Sequence, residues 1–178
     1  MKHILLNTTI LLALISCQRT NPSLTEYVDP HIGSAGHGHV FVGANVPFGM
    51  VQIGPTSIPE DWDWCSGYHA SDSTIIGFSH THLSGTGIGD LFDVTVMPIT
   101  GAVNYTRGTG EDAQSGLWSL GERSKEIVKP GYYSIPLQRY NVRAELTATP
   151  RTAFHRYTFP ESNNAGLVID LENGGCWD

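Results

Sequence analysis

Glycine and proline recur along this 178-residue sequence, which contains 20 Gly and 10 Pro. Gly weakens helices through its backbone entropy, and Pro lacks the amide hydrogen that a helix interior needs. Beyond the N-terminal segment, no window of about 12 residues keeps apolar side chains at the helical spacing of i, i+3, i+4 and i+7. The sequence therefore excludes a helical bundle and predicts short strands joined by turns.

Runs of β-branched and aromatic residues, bounded by Gly, Pro, Ser or Asp, predict about seven strands. They lie at residues 50–53, 74–78, 91–97, 131–137, 140–149, 152–159 and 167–171. Apolar and polar side chains alternate along residues 140–149, which predicts one buried face and one face in water. Residues 101–129 break this rhythm, and we expect a long connection there with at most a turn of helix. The predicted fold is all-β, an antiparallel β-sandwich.

The charge balance argues against a nucleic-acid partner. The chain has 17 acidic and 10 basic residues and a formal charge of -7, so it lacks the basic surface that phosphate binding requires. Its 40% hydrophobic content is that of a folded globular protein and excludes disorder. The length fits one domain.

The N-terminus has the pattern of an export signal. Lys2 precedes an apolar run that is too short to span a membrane and that ends in a bacterial lipobox, LISC, at Cys17. We therefore expect a lipoprotein signal peptide at residues 1–16, a lipid on Cys17, a tether at 17–26 and the domain at 27–178. The predicted location is the periplasm or cell surface of a bacterium, with a membrane anchor at Cys17. The alternative is a soluble protein released by signal cleavage.

Two cysteines remain after Cys17. Cys65 and Cys176 could pair in an oxidising compartment, but their separation in sequence says nothing about their distance in space. We favour two separate, partly buried thiols.

Six of the eight histidines fall between residues 31 and 82, in a Gly-rich segment that also holds Asp and Trp. His37 with His39, and His80 with His82, are spaced so that both imidazoles of a pair lie on one side of an extended segment, which would suit a transition metal. No HExxH or EF-hand pattern accompanies them. Histidines that hydrogen-bond to loop backbone or to a sugar are the favoured interpretation.

A sugar site accounts for more of this segment. Hexose rings present an apolar face and a rim of hydroxyls, so they bind to aromatic rings flanked by Asp, His and amide groups. The nonapeptide DWDWCSGYH at residues 61–69 supplies both kinds of group. If this stretch is a strand, one Trp faces the core and the other the solvent, and we expect Trp64 to be the exposed one.

Four stretches of the sequence resemble the N-terminal domain of family 92 glycoside hydrolases, the exo-acting α-mannosidases. They are YVDPHIG at 27–33, GHGHVFVGANVPFGMVQ at 36–52, DWDWCSGYH at 61–69 and IGFSHTHLSGTG at 76–87. The resemblance begins at Tyr27 and is loosest beyond residue 100.

The resemblance implies a calcium-dependent, inverting enzyme that removes terminal α-linked mannose from glycans. In that family a β-sandwich packs on a helical (α/α)6 barrel that carries the two catalytic carboxylates and most calcium contacts. The sequence ends at Asp178, before any such barrel, so we expect no catalytic residue here, a truncated chain and no activity without the missing barrel domain. One alternative is a stand-alone carbohydrate-binding surface lipoprotein, and another is a non-functional remnant. The residues expected to border the mannose-containing glycan are Asp63, Trp64, His80, His82, Ser84 and Gly85.

Overall fold

The computed structural model describes residues 22–112, 114–172 and 175. Its regular structure consists of short strands and single-turn 3-10 helices. No helix in these ranges is long and apolar enough to cross a membrane. The predicted signal peptide, Cys17 and Cys176 lie outside the described residues. The strands are β1 Ala44–Asn45, β2 Gln52–Thr56, β3 Thr74–Ile75, β4 Gly77–Ser79, β5 Thr95–Thr100, β6 Ser119–Leu120, β7 Ile127–Lys129, β8 Tyr132–Leu137, β9 Val142–Ala148, β10 Ala153–Thr158 and β11 Ala165–Asp170. The 3-10 helices are Leu24–Tyr27, Gly36–Gly38, Trp62–Trp64 and Arg123–Lys125.

The strands form two main sheets with antiparallel pairing throughout. One sheet has five strands in the order β1-β2-β4-β5-β11, and the other has four in the order β10-β9-β8-β7. β3 and β6 make a separate two-stranded ribbon. The predicted all-β sandwich is confirmed.

Aliphatic side chains and a few aromatic rings fill the space between the two main sheets. Phe78 of β4 lies 6.4 Å from the ring of Tyr133 on β8 and 6.1 Å from that of Tyr157 on β10. Phe78 and Tyr133 are completely buried. Burial of such a side chain contributes about 1.5–3 kcal/mol to the free energy of unfolding. Because Phe78 and Tyr133 both belong to strands, this contribution does not depend on the loops.

The alternation predicted along residues 140–149 is confirmed in β9. Val142, Ala144 and Leu146 are buried, while Arg143 and Glu145 are only half-buried. A strand with this period can present only one face to the core.

The strand count and several strand boundaries differ from the prediction. The chain between residues 101 and 129 is not a plain connection, because it contains β6, the 3-10 helix Arg123–Lys125 and β7. β5 begins at Thr95 rather than at Leu91, since Phe92 and Val94 have positive φ angles of 51° and 52° that break an extended strand. The missed strands have only two or three residues, too few to display a period.

A buried ion pair joins β8 to two loops. The Arg123 guanidinium donates to Glu126 at 2.6 Å and to the backbone carbonyl of Asp72. Glu126 also accepts from the Tyr133 hydroxyl at 2.6 Å and from the Tyr68 hydroxyl at 3.3 Å. Burial, together with this carboxylate, raises the pKa of both tyrosines, so they remain donors. Each member of the network therefore has its polar partner.

We predict that Glu126→Ala lowers the free energy of unfolding by about 3 kcal/mol, because it leaves the Arg123 guanidinium and two buried hydroxyls without their acceptor. Glu122→Ala is the matched control, since Glu122 pairs at 2.9 Å with a Lys125 side chain that is 63% exposed. Its cost should stay below about 1 kcal/mol. Urea denaturation of the full chain at neutral pH measures both, and equal losses would contradict the prediction.

A second ion pair crosses the outer face of the four-stranded sheet. Glu145 of β9 accepts two hydrogen bonds from Arg156 of β10 and one of 2.7 Å from Tyr132 of β8. These partners, with Arg156 first, lower the pKa of the Glu145 carboxyl to about 2. The carboxylate therefore stays charged in the folded state at pH values where an unfolded chain protonates it.

The contribution of the Glu145 carboxylate to the free energy of unfolding should be complete at neutral pH. It should disappear as the pH falls from the ordinary glutamate range to about 2. We expect Arg156→Gln to raise the pKa of Glu145 toward its ordinary value, whereas Arg151→Gln in the neighbouring turn leaves it unchanged. Carboxyl-carbon NMR titration of the folded chain measures this pKa. An unaltered titration in the Arg156 variant would refute the assignment.

Candidate functional site

Three loops meet at one place on the surface of the sandwich and form what we call the loop cluster, residues 36–39, 61–65 and 83–90. The Gly85 amide donates to the His39 carbonyl at 2.7 Å, and the Asp90 amide donates to the Cys65 carbonyl at 2.9 Å. The Trp62 indole donates to the Gly87 carbonyl at 2.8 Å. Hydrogen bonds between loops thus replace the strand pairing that is absent in this region.

Asp63 is the shared acceptor of the loop cluster. One of its carboxylate oxygens receives hydrogen bonds from His37 at 2.6 Å and from His39 at 3.3 Å. The hydrogen bond from His37 is the main reason that the pKa of Asp63 is lowered. Asp61 precedes it as the cap of the 3-10 helix and accepts from the Asp63 amide at 3.0 Å.

Trp62 is the aromatic surface of the loop cluster. Its side chain is 50% exposed, and the His39 ring packs edge-on against it at 4.2 Å between centroids. The loop behind it must carry glycine at position 87, because a Cβ there would lie 3.1 Å from the indole and the φ angle is +65°. The ring is therefore held by His39 and the loop at Gly87, with the His37 ring 5.6 Å away between centroids, and half of its surface stays exposed.

The prediction that Trp64 is the exposed ring is wrong. Trp64 is half-buried, its indole donates to Asp72 at 2.8 Å, and its ring stacks on His69 at 4.4 Å. The alternation argument assumed a strand, but Trp62–Trp64 is a 3-10 helix. The Asp61 cap is the sequence signal that could have revealed this turn.

His82 lies inside the protein rather than on its surface. Its side chain is fully buried, stacks on Phe41 at 4.9 Å and donates from Nδ1 to the Ser66 carbonyl at 3.2 Å. The Asp90 carboxylate is 3.4 Å from the same nitrogen and accepts from the amides of Leu83 and Leu91. His82 thus supports the loops from within.

His80 contacts the other sheet. Its Nε2 lies 3.0 Å from Nε2 of His155 on β10, and its Nδ1 lies 2.5 Å from the Val94 carbonyl. His155 Nδ1 lies 2.6 Å from the Tyr157 hydroxyl. Burial, and secondarily the neighbouring His80, lower the pKa of His155 to about 4, so its imidazole is neutral at neutral pH.

Of the six residues predicted to border the sugar, the structure brings Asp63, Ser84 and Gly85 to the exposed side of the loop cluster or its rim. Ser84 is exposed, and Gly85 adopts a φ of +70° with open space around it. Trp64 and His82 lie behind this surface, and His80 turns to β10. The predicted residues include neither Trp62, the exposed ring of the loop cluster, nor His155, which contacts His80. His155 had no local signal, since β10 is 75 positions away from His80 in sequence.

The aspartates near the loop cluster accept hydrogen bonds that hold the loops in their conformation. Asp61 and Asp90 accept from backbone amides, Asp72 accepts from Thr74, and Asp93 accepts from the Thr81 hydroxyl. Among the described residues, no group of three or more His, Cys, Asp or Glu side chains is placed to hold a metal ion. Cys65 is a buried free thiol.

Comparison with known proteins gives the same family throughout. Residues 27–178 match the family described as the glycosyl hydrolase family 92 N-terminal domain. A family GH92 α-mannosidase from Bacteroides thetaiotaomicron, whose structure in complex with mannoimidazole is known, is 44% identical with a TM-score of 0.84, over 88% of this chain and 20% of that chain. A second GH92 family glycosyl hydrolase structure is 29% identical with a TM-score of 0.72, over 85% of this chain and 21% of the other.

A protein of Arthroderma benhamiae, described as an uncharacterized secreted glycosidase, is 30% identical over 164 residues, which is 89% of this chain and 20% of that protein. The chain thus spans about a fifth of the length of the relatives that it matches. The family match covers nearly all of the described residues, and the sandwich is the fold shared with the solved relatives. The chain belongs to glycosyl hydrolase family 92, and residues 27–178 correspond to the N-terminal domain of that family.

Proposed function

We propose that this domain supplies one wall of the sugar site of an exported, inverting exo-α-mannosidase. The observation that carries the proposal is the Trp62 ring, half exposed and held beside Asp63, His37 and His39. An indole face covers the C–H side of a hexose, and neighbouring imidazole and carboxylate groups bind its hydroxyls. The mannosidase identity of the solved relative at 44% identity supports mannose as the sugar.

The charge around the loop cluster favours an uncharged sugar. Residues 20–106 contain eight carboxylates and no Lys or Arg, so they offer no fixed cation for a phosphate or an acidic sugar. Like-charge repulsion would also disfavour an anionic ligand beside Asp63. Terminal mannose is neutral and fits these conditions.

We place the catalytic acid and base outside the described residues. An inverting glycosidase needs two carboxyl groups about 6.5–9.5 Å apart, both facing the glycosidic bond. The aspartates of this region accept hydrogen bonds from loop amides and side chains, which turn their carboxylates toward the protein. We infer the same for most calcium ligands, because no group of three or more acidic, histidine or cysteine side chains gathers among the described residues.

We also propose that the protein is exported and anchored by a lipid on Cys17. The pattern of residues 1–17 supports both export and the anchor, and the description of the Arthroderma benhamiae relative as secreted supports export alone.

The full 178-residue chain should not hydrolyse α-linked mannobiose in the presence of calcium. Without both carboxylates, a glycosidase loses most of its rate acceleration. A full-length family 92 α-mannosidase assayed in parallel shows that the substrate and the calcium are adequate. Turnover by the 178-residue chain at a comparable rate would overturn the proposed division of roles.

Methyl α-mannoside should bind weakly, because a single wall makes only part of the contacts of a complete site. Ligand-observed NMR should detect transfer of magnetisation from the protein to the sugar, and Trp62→Ala should abolish this transfer. Phe154→Ala is the matched control, since Phe154 is an equally exposed aromatic residue (54%) on β10. Loss of binding in both variants, or in neither, would contradict the role of Trp62. A dissociation constant below about 1 mM would favour the stand-alone carbohydrate-binding alternative.

A further inference from the structure

Two histidines bring the main sheets together at one edge of the core. His80 follows directly after β4 of the five-stranded sheet, and His155 belongs to β10 at the edge of the four-stranded sheet. Their rings are 4.9 Å apart between centroids, and their Nε2 atoms are 3.0 Å apart. Two imidazole nitrogens at this distance share either a proton or a cation.

The surrounding acceptors determine where the protons lie in the free pair. The Val94 carbonyl can only accept, so His80 carries a proton on Nδ1, and in the neutral imidazole its Nε2 then has a free lone pair. His155 then donates from Nε2 to His80, and its Nδ1 accepts from the Tyr157 hydroxyl. Burial raises the pKa of Tyr157, which keeps that hydroxyl protonated.

The same geometry suits a metal ion. Zinc binds histidine nitrogen at about 2.0–2.1 Å. The two ligating nitrogens on one zinc therefore lie about 2.9 Å apart when the N–Zn–N angle is a right angle, and about 3.3 Å apart when it is tetrahedral. The observed 3.0 Å falls between these values. Each imidazole also has its second nitrogen held by an oxygen, the arrangement that orients histidine ligands in metal sites.

Val94, whose carbonyl accepts from His80, has an unfavourable backbone conformation. Val94 is β-branched and has a φ of 52°, a region that such residues rarely occupy. The residue immediately precedes β5, where the pairing of the sheet fixes the chain. Backbone strain of this kind persists only where the surrounding structure enforces it.

We propose that His80 and His155 form a two-imidazole clip for a divalent transition metal such as zinc, with water completing the coordination. On binding, the proton of His155 moves from Nε2 to Nδ1 through solvent, the Tyr157 hydroxyl becomes the acceptor, and the neutral pair releases no net proton. Imidazole ligands favour zinc over calcium, which prefers oxygen ligands, so this site is separate from the calcium of the proposed enzyme. With only two protein ligands among the described residues, its affinity is moderate.

Calorimetric titration of the metal-free full chain with zinc chloride at neutral pH tests the clip. We expect one site, weakened at least about tenfold by His155→Gln and less strongly by Tyr157→Phe. His37→Gln is the matched control, because it removes an exposed histidine of the other candidate pair, and it should leave the affinity unchanged. Absence of zinc binding, equal binding by the His155 variant, or loss of binding in the His37 variant would overturn the proposal.

A measurement on the unmodified chain covers the case in which His155→Gln fails to fold. In histidine labelled with nitrogen-15, zinc should shift the Nε2 resonances of His80 and His155 and leave those of the buried His82 in place. Shifts confined to His37 and His39 would place the metal at the loop cluster and refute the clip.

Discussion

The candidate site depends on one carboxylate. Asp63 receives hydrogen bonds from His37 and His39 through a single oxygen, and this joins residues 36–39 to the turn that presents Trp62. Without strands in this region, few backbone groups are satisfied by sheet pairing, so side chains must hold the loops. The pKa of Asp63 is lowered by these same hydrogen bonds, which keeps the carboxylate charged and the loops attached over a wider pH range.

The sandwich and the loop cluster have separate sources of stability. The sheets are joined by buried rings such as Phe78 and Tyr133, and the Arg123–Glu126 ion pair holds two loops on β8. The loop cluster relies instead on aspartates that accept from backbone amides. A rigid scaffold that carries polar loops is the usual way to position binding groups, and it lets the loops specialise for a ligand without weakening the core.

The sequence was sufficient for the fold class, because strand periodicity and the frequency of Gly and Pro are local properties. The alternation in β9 was predictable residue by residue. The exposure of individual side chains was predictable only in part. The sugar-bordering role of Asp63, Ser84 and Gly85 rests on residue type and resemblance and stays a prediction. The choice of Trp64 over Trp62 as the exposed ring is wrong because a capped 3-10 turn has no strand alternation. The contact between His80 and His155 depends on how two sheets pack, and no local pattern contains that information.

The most direct test of this account is hydrogen exchange in Asp63→Asn, compared with the unmodified chain. We expect faster exchange at the Gly38 and Gly85 amides and at the Trp62 indole, all of which depend on the loop cluster. The amides of Ala144 and Leu146 in β9 should exchange at their original rates. Unchanged exchange in the loops, or equal acceleration in β9, would contradict the claim that Asp63 organises the site on an independent sandwich.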